Sequence, residues 1–153
     1  MKKRDEIIGA NRFKVGICWQ GSKTKTGVGR SFPRSLFEAI SKIPNLELIS
    51  LHKGEGEDQT SNIDFDMTSL GIDFDAGQNA FVDTAAVMIN RDLIITSDTA
   101  VAHLAGALGC QTWVAQKHVP DWRWMLDRSD SPWYPEMTLY RQKNQGIGRI
   151  FLI

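Results

Sequence analysis

Apolar residues along this chain fall into short runs separated by polar, glycine-containing stretches, and the runs carry two periods. Phe13-Lys14-Val15-Gly16-Ile17-Cys18-Trp19, Leu46–Leu51, Leu93–Thr96, Gln111–Ala115 and Met137–Arg141 are compact runs of strand formers. Between them the apolar positions recur at helical spacing: Leu36, Phe37, Ile40 and Ile43 after Pro33, then Phe81, Val82, Ala85, Ala86 and Ile89. A third, Ala-rich helix follows Ser97-Asp98-Thr99 and stops at Gly109. Pro44-Asn45 ends the first helix, residues 53–69 read as an acidic loop, and Ile72-Asp73-Phe74 is expected to be a short strand. Strands alternating with helices of about ten residues specify βαβ units, a mainly parallel sheet covered on both faces, and right-handed crossovers. The expected fold is α/β, a Rossmann-like doubly wound domain.

Composition narrows the class without naming a function. The 153 residues suffice for one domain with its own core, and 42% hydrophobic and 24% charged residues are ordinary for a globular chain. A formal net charge of zero argues against a nucleic-acid binder. No apolar run reaches the roughly 18 residues that span a bilayer, and the charged start lacks the apolar stretch of a signal peptide. A cytoplasmic location is expected. Cys18 and Cys110 sit in apolar surroundings and read as small core residues, not as a disulfide or metal pair. Residues 1–12 read as a lead-in or linker and 13–153 as the domain, and the apolar ending Ile150-Phe151-Leu152-Ile153 suggests an excised piece.

The candidate chemistry lies at the carboxyl ends of the expected strands. A strand, three small polar residues and a helix at 93–109 place free amides and the positive end of a helix dipole where a phosphate can bind. Thr99 and the amides of the first turn are candidates to hold it. Asp98 repels a phosphate, so it either caps the helix or accepts hydrogen bonds from sugar hydroxyls or from Ser/Thr donors. His103, four residues after Thr99, lies on the same helix face and leans toward the N-terminus, hence toward the same ligand. The loop 20–31 after the first strand interleaves Gly21, Gly27 and Gly29 with Lys23, Lys25, Arg30 and Ser31, the composition of a phosphate cradle. It is neither a Walker loop nor G-x-G-x-x-G, which counts against an NTPase and a dinucleotide enzyme. Three of the five tryptophans lie in 122–133, where Asp121, Trp122 and Arg123 could meet a base or a sugar. A packed minicore explains the same residues. His52, His103 and His118 are scattered without metal-ligand spacing, and G-x-S-x-G is absent.

Taken together, Val15-Gly16-Ile17-Cys18-Trp19-Gln20-Gly21, Arg30-Ser31-Phe32, the helix segment 97–109, and Pro120-Asp121-Trp122-Arg123-Trp124 with Ser131-Pro132-Trp133-Tyr134-Pro135 resemble the donor-binding half of GT-B glycosyltransferases. The likeness is to the ADP-heptose:lipopolysaccharide heptosyltransferases and to the glycosyltransferase-like domains that follow TPR repeats in bacteria. It spans roughly residues 13–142. The resemblance implies one half of a GT-B fold that grips a nucleotide-diphospho-sugar, ADP- or UDP-linked, as substrate, with no cofactor and no metal. It also implies Arg30 and Ser31 at the diphosphate, Gly21 among the substrate-binding residues, Lys53 and Gly54 at the nucleoside, and Asp98, Thr99 and Ala100 at the family's Asp-Thr-Gly turn, whose glycine is Ala100 here. The acceptor and the catalytic base of an inverting transfer are expected from elsewhere, a missing N-terminal acceptor domain or a partner chain. A lipopolysaccharide role would place the chain peripheral to the inner membrane. Two other readings stand beside this one: a non-catalytic, degenerate glycosyltransferase-like binding or interaction module, and an unrelated doubly wound enzyme such as a phosphosugar epimerase.

Overall fold

The computed structural model describes residues 12–21, 30–53 and 64–143. Gly54, most of the loop 20–31 and nearly all of the lead-in lie outside the described residues. Five strands, β1 (Phe13–Cys18), β2 (Leu46–Ser50), β3 (Leu93–Ser97), β4 (Thr112–Gln116) and β5 (Met137–Arg141), form one sheet in the order β2-β1-β3-β4-β5. Every pairing is parallel, and the registers place Ile17 opposite Ser50 and Cys18 opposite Thr96. The strand order reverses between β1 and β3, so their carboxyl ends diverge and open a crevice there. This is the Rossmann-like sheet expected from the apolar pattern.

Among the described residues three α-helices accompany the sheet: α1 (Glu38–Ser41, entered through a 3-10 turn at Arg34–Phe37), α2 (Val82–Met88) and α3 (Ala100–Ala107). The period-two pattern of β1 divides its side chains between two cores. Val15, Ile17 and Trp19 join Phe32, Phe37, Ile40 and Leu48 on one face, whereas Cys18 joins Ile49, Val87, Met88, Ile94, Val101 and Ala105 on the other. A third cluster, Ala102, Val114, Trp124, Met137 and Leu139, closes the β4–β5 end.

Three local readings are corrected. Ile72-Asp73-Phe74 is a turn, not a strand: Gly71 takes a positive φ of 85° and Phe74 drops into the core, leaving Ile72 exposed. Thr68 is the residue that extends the sheet, bridging Ile49 through Ser50 N–H to Thr68 O (2.9 Å) and Thr68 N–H to Leu48 O (2.8 Å). In α1 the buried residues are Phe37 and Ile40, with Arg34 inside as well, while Ile43 falls beyond the helix and is exposed. Arg34 is held by aromatic faces, its guanidinium carbon 5.1 Å from the Trp19 ring centre and 5.8 Å from that of Phe65. In α2 the expected stripe is on the wrong side: Phe81, Val82 and Ile89 are exposed, and Thr84, Val87 and Met88 are buried. Asp75 explains the rotation. Its carboxylate accepts from the Asp83 amide (2.9 Å), the Thr84 amide (3.4 Å) and the Thr84 hydroxyl. A carboxylate from the turn just ahead of the helix holds its first amides, so its buried side is not read from the helix pattern alone.

Helix α3 matches its pattern. Thr99 is the N-cap in extended geometry, and Gly109 takes φ 69° just past the end. Gly106 has a separate role, because a Cβ there would lie 2.4 Å from Tyr134 Cγ. The Tyr134 ring therefore rests directly on the helix backbone. Gly106→Ala should lose stability although alanine is the better helix former: about 1 kcal/mol gained in propensity is outweighed by overpacking of about 1–3 kcal/mol. Urea denaturation of Gly106→Ala checks this, and the penalty should vanish when Tyr134→Ala is combined with it.

Candidate functional site

The crevice at the ends of β1 and β3 is built by a chain of short contacts. The Phe32 amide donates to Trp19 O (3.0 Å), so the loop after β1 returns to the strand that it left and delivers Arg30 and Ser31 over the sheet edge. Gly21 packs against the turn after β3, where a Cβ on it would stand 2.9 Å from Thr99 Cγ2. The Thr99 hydroxyl lies 3.3 Å from that of Thr96, so it does not cap its own helix. The first amides of α3 are thus left free of a side-chain cap at the dipole's positive end.

Asp98 follows β3, buried apart from a few per cent of its surface, and its Oδ2 has no hydrogen-bond partner. It stands 3.7 Å from Arg30 Nε, itself without a hydrogen-bond partner. Of the two roles expected for Asp98, helix capping is ruled out, because Thr99 holds the N-cap position. The carboxylate instead faces the guanidinium and keeps an oxygen available for a donor. A buried acceptor left unmatched costs about 1–3 kcal/mol, so a hydroxyl or amide arriving there would be favoured.

These groups line a cavity of about 620 Å³ with Cys18, Gln20, Gly21, Ser31, Leu51, His52, Lys53, Ala100 and Val101, closed on the α2 side by Asp75, Phe81 and Thr84. Of the residues singled out in the sequence, Gly21, Arg30, Ser31, Lys53, Asp98, Thr99 and Ala100 therefore converge. Lys53 is engaged within the protein, its ammonium donating to Phe74 O. A second cavity of about 630 Å³ shares Arg30, Asp98, Thr99 and Ala100 with the first and continues to His103, Asp121, Trp122, Arg123, Trp133 and Tyr134. His103 and Trp122 thus belong to this chamber. His103 is also held from the loop side: Nδ1 is 3.2 Å from Tyr134 Oη, and its ring stacks on buried Trp124 at 5.0 Å. Trp124 is the packing tryptophan; Trp122 and Trp133 are exposed, so the minicore and the open aromatic face coexist.

Sequence reasoning missed Cys18, His52 and the Asp75–Thr84 wall. His52 Nδ1 lies 3.7 Å from Cys18 Sγ, and its ring sits 4.4 Å from that of Trp19. The alternation of β1 placed Cys18 in the core, but its closeness to β2's end depends on strand order. Burial pushes the Cys18 thiol up to about 11, against weaker lowering by hydrogen bonds with Gln20 O, Thr96 and Thr99. Asp121 behaves oppositely. Partial burial pushes its carboxyl up, but the Arg123 amide and guanidinium, helped by Arg30, hold it below the ordinary carboxylate range. Among the described residues no three His, Cys, Asp or Glu side chains gather as a metal site, and no helix is long and apolar enough to cross a membrane.

The sheet and its helices superpose on E. coli ADP-heptose lps heptosyltransferase II with a TM-score of 0.65 and 12% identity, over 94% of this chain and 43% of that chain. The fold is that of a GT-B half domain. In sequence the chain is 26% identical over 140 residues to Protein FlbA of Caulobacter vibrioides (strain ATCC 19089 / CIP 103742 / CB 15), covering 88% of this chain and 23% of that protein. It therefore spans under a quarter of that relative and less than half of the solved enzyme. No family model matches the chain.

The raised thiol pKa of Cys18 makes a pH prediction. The unfolded chain loses this proton near 9 and the folded one near 11, so the stabilisation is complete below 9 and lost as pH rises through 11. Between pH 8 and 11 the wild type should lose about 2–3 kcal/mol more stability than Cys18→Ala, measured by urea unfolding of both across that range.

Proposed function

We propose that the chain is the nucleotide-diphospho-sugar-binding domain of a metal-independent, inverting glycosyltransferase. The observation that supports this most is the convergence of Arg30, Asp98 and Thr99 with the uncapped start of α3 at the switch point of a GT-B half domain. A diphosphate there would accept from Arg30, Ser31 and the amides of residues 99–101, leaving Asp98 Oδ2 for a sugar hydroxyl. As the glycosidic bond breaks, negative charge builds on the leaving diphosphate. Fixed positive charge and the helix dipole stabilise it without reorganising, which lowers the barrier. The Asp98 carboxylate orients Arg30 and tempers its charge, so anion binding depends on both. Lys53 and Gly54 would face the nucleoside, and the base that deprotonates the acceptor would come from another domain or chain.

A non-catalytic binding module is the second reading. It draws on Ala100 in place of the family's glycine and on the engagement of Lys53 with Phe74 O. Transfer activity in a complete assembly would remove it.

Calorimetric titration with ADP, UDP, GDP and CDP, without metal and then with magnesium, tests the donor site. One nucleotide should bind saturably without metal. Arg30→Ala should weaken it by about 1.5–3 kcal/mol, the loss of a charge-assisted hydrogen bond. Thr99→Val should also weaken it. Normal affinity in Arg30→Ala would take Arg30 out of the site.

A further inference from the structure

Arg34 is a buried charge to which the surrounding fold brings no counter-charge. It is only 4% exposed, yet among the described residues no carboxylate forms an ion pair with it. Its guanidinium carbon lies over the rings of Trp19 and Phe65 at 5.1 and 5.8 Å. Nη2 donates to the Met67 thioether at 3.5 Å, and a thioether accepts weakly. Nε and Nη1 are buried with no hydrogen-bond partner. Aromatic faces offset part of the hydration that a buried guanidinium gives up, but they satisfy none of its unmatched N–H donors. Desolvation accordingly lowers the pKa of this group.

The same residue lines a third cavity, of about 640 Å³, at the outer edge of the sheet beyond β2. That volume is usual for a small-molecule site. Phe65, Met67 and Leu70 line it from the segment that bridges onto β2 through Thr68. The full charges on its described wall are Arg34, Lys53 and Asp66. Lys53 donates to a neutral carbonyl, Phe74 O, so its charge is not cancelled there, whereas Asp66 is exposed and solvated. The cavity therefore carries an excess of positive charge over an apolar lining. His52 and Lys53 also line the first cavity, but Arg30, Asp98 and Thr99 do not reach this one. The two chambers adjoin across a shared wall and offer separate sites.

We infer that this cavity binds a small organic anion, an oxyanion head (carboxylate or phosphate monoester) on an apolar body. The head accepts from Arg34 at Nε or Nη1, which lie on opposite edges of the guanidinium. The body rests against Phe65, Leu70 and the exposed Ile72. Such a head brings both things that the buried guanidinium lacks, a negative charge and strong acceptors, and charge-assisted bonds of this kind are the strong ones. The site is distinct from the crevice at β1 and β3 and does not rest on the donor-site reading.

The test is a titration of the whole chain with benzoate, hexanoate, phenyl phosphate and inorganic phosphate, with benzamide as the neutral control. Calorimetry reads the affinity, and 15N-edited NMR of the Arg34 Nε–H signal reads the place. At least one organic anion should bind saturably and shift that signal, and benzamide should do neither. Benzoate against phenyl phosphate tells a carboxylate head from a phosphate head. Inorganic phosphate should bind more weakly than the preferred organic anion, and equal affinity would overturn the role of the apolar wall. Arg34→Met keeps an apolar stem between the rings and should weaken the anion about tenfold or more. Arg30→Ala should change it by less than about twofold. The reverse pattern, loss in Arg30→Ala and retention in Arg34→Met, would put the anion in the donor crevice and overturn the inference. If Arg34→Met does not fold, Ser69→Glu takes its place: an exposed position on the cavity wall, where an added negative charge should repel the anion and weaken it about threefold or more. Unchanged affinity in the variant that folds overturns the site, as does the failure of every anion to bind the wild type at millimolar concentration. Nucleotide titrations can fail without altering any of these outcomes, so the two readings fall separately.

Discussion

The close approach of Gly21 to Thr99 is the contact on which the crevice depends. A side chain on residue 21 would collide with the Thr99 methyl at 2.9 Å, so only a backbone can pass there. On the same side of the sheet Arg30 stands opposite Asp98, Nε 3.7 Å from Oδ2. The pair spans the switch point of the sheet, where the strands part and side chains from both sides can reach one ligand.

Around this point the molecule divides its labour by face. On the β2 side the walls come from His52, Lys53, Phe81 and Thr84, and Asp75 holds Thr84 at the start of α2 from outside the helix. On the β4 side they come from α3 and the tryptophan-bearing loop, joined through Gly106, Tyr134, His103 and buried Trp124. Absence of a side chain at Gly106 lets an aromatic ring sit on the helix that carries Thr99. Helix and loop are therefore packed directly against each other beside the site.

Arg34 shows how far a residue type can mislead. As a cation in the first turn of an exposed helix, it would be expected in solvent. Instead it is buried between Trp19 and Phe65, and desolvation lowers its pKa, while Nη2 donates to Met67 Sδ at 3.5 Å. Aromatic faces stand in part for the hydration it gave up. That cost is tolerable for a delocalised guanidinium and would be far higher for a lysine ammonium.

The chain's own pattern determined the sheet, because parallel strands covered on both faces must be short and almost continuously apolar, and these runs are. It likewise determined α3, whose small residues, polar entry and terminal glycine all act within one stretch of backbone. That Arg30, Ser31, Asp98 and Thr99 lie together was legible because ligand chemistry concentrates at the carboxyl ends of strands, and those ends were visible; Lys53 and Ala100 were reached through the family resemblance, and they line the same cavity. The partner of Asp98, the buried face of α2, the turn at 72–74 and the split of the tryptophans between Trp124 inside and Trp122 and Trp133 outside were decided by tertiary structure alone. Each depends on a residue outside its own element: Arg30 for Asp98, Asp75 for α2, Thr68 for the sheet edge and Gly106 for the aromatic stack. Local periodicity records which side of an element is apolar. Which side is buried follows only when distant caps, bridges and ring contacts fix how that element is turned.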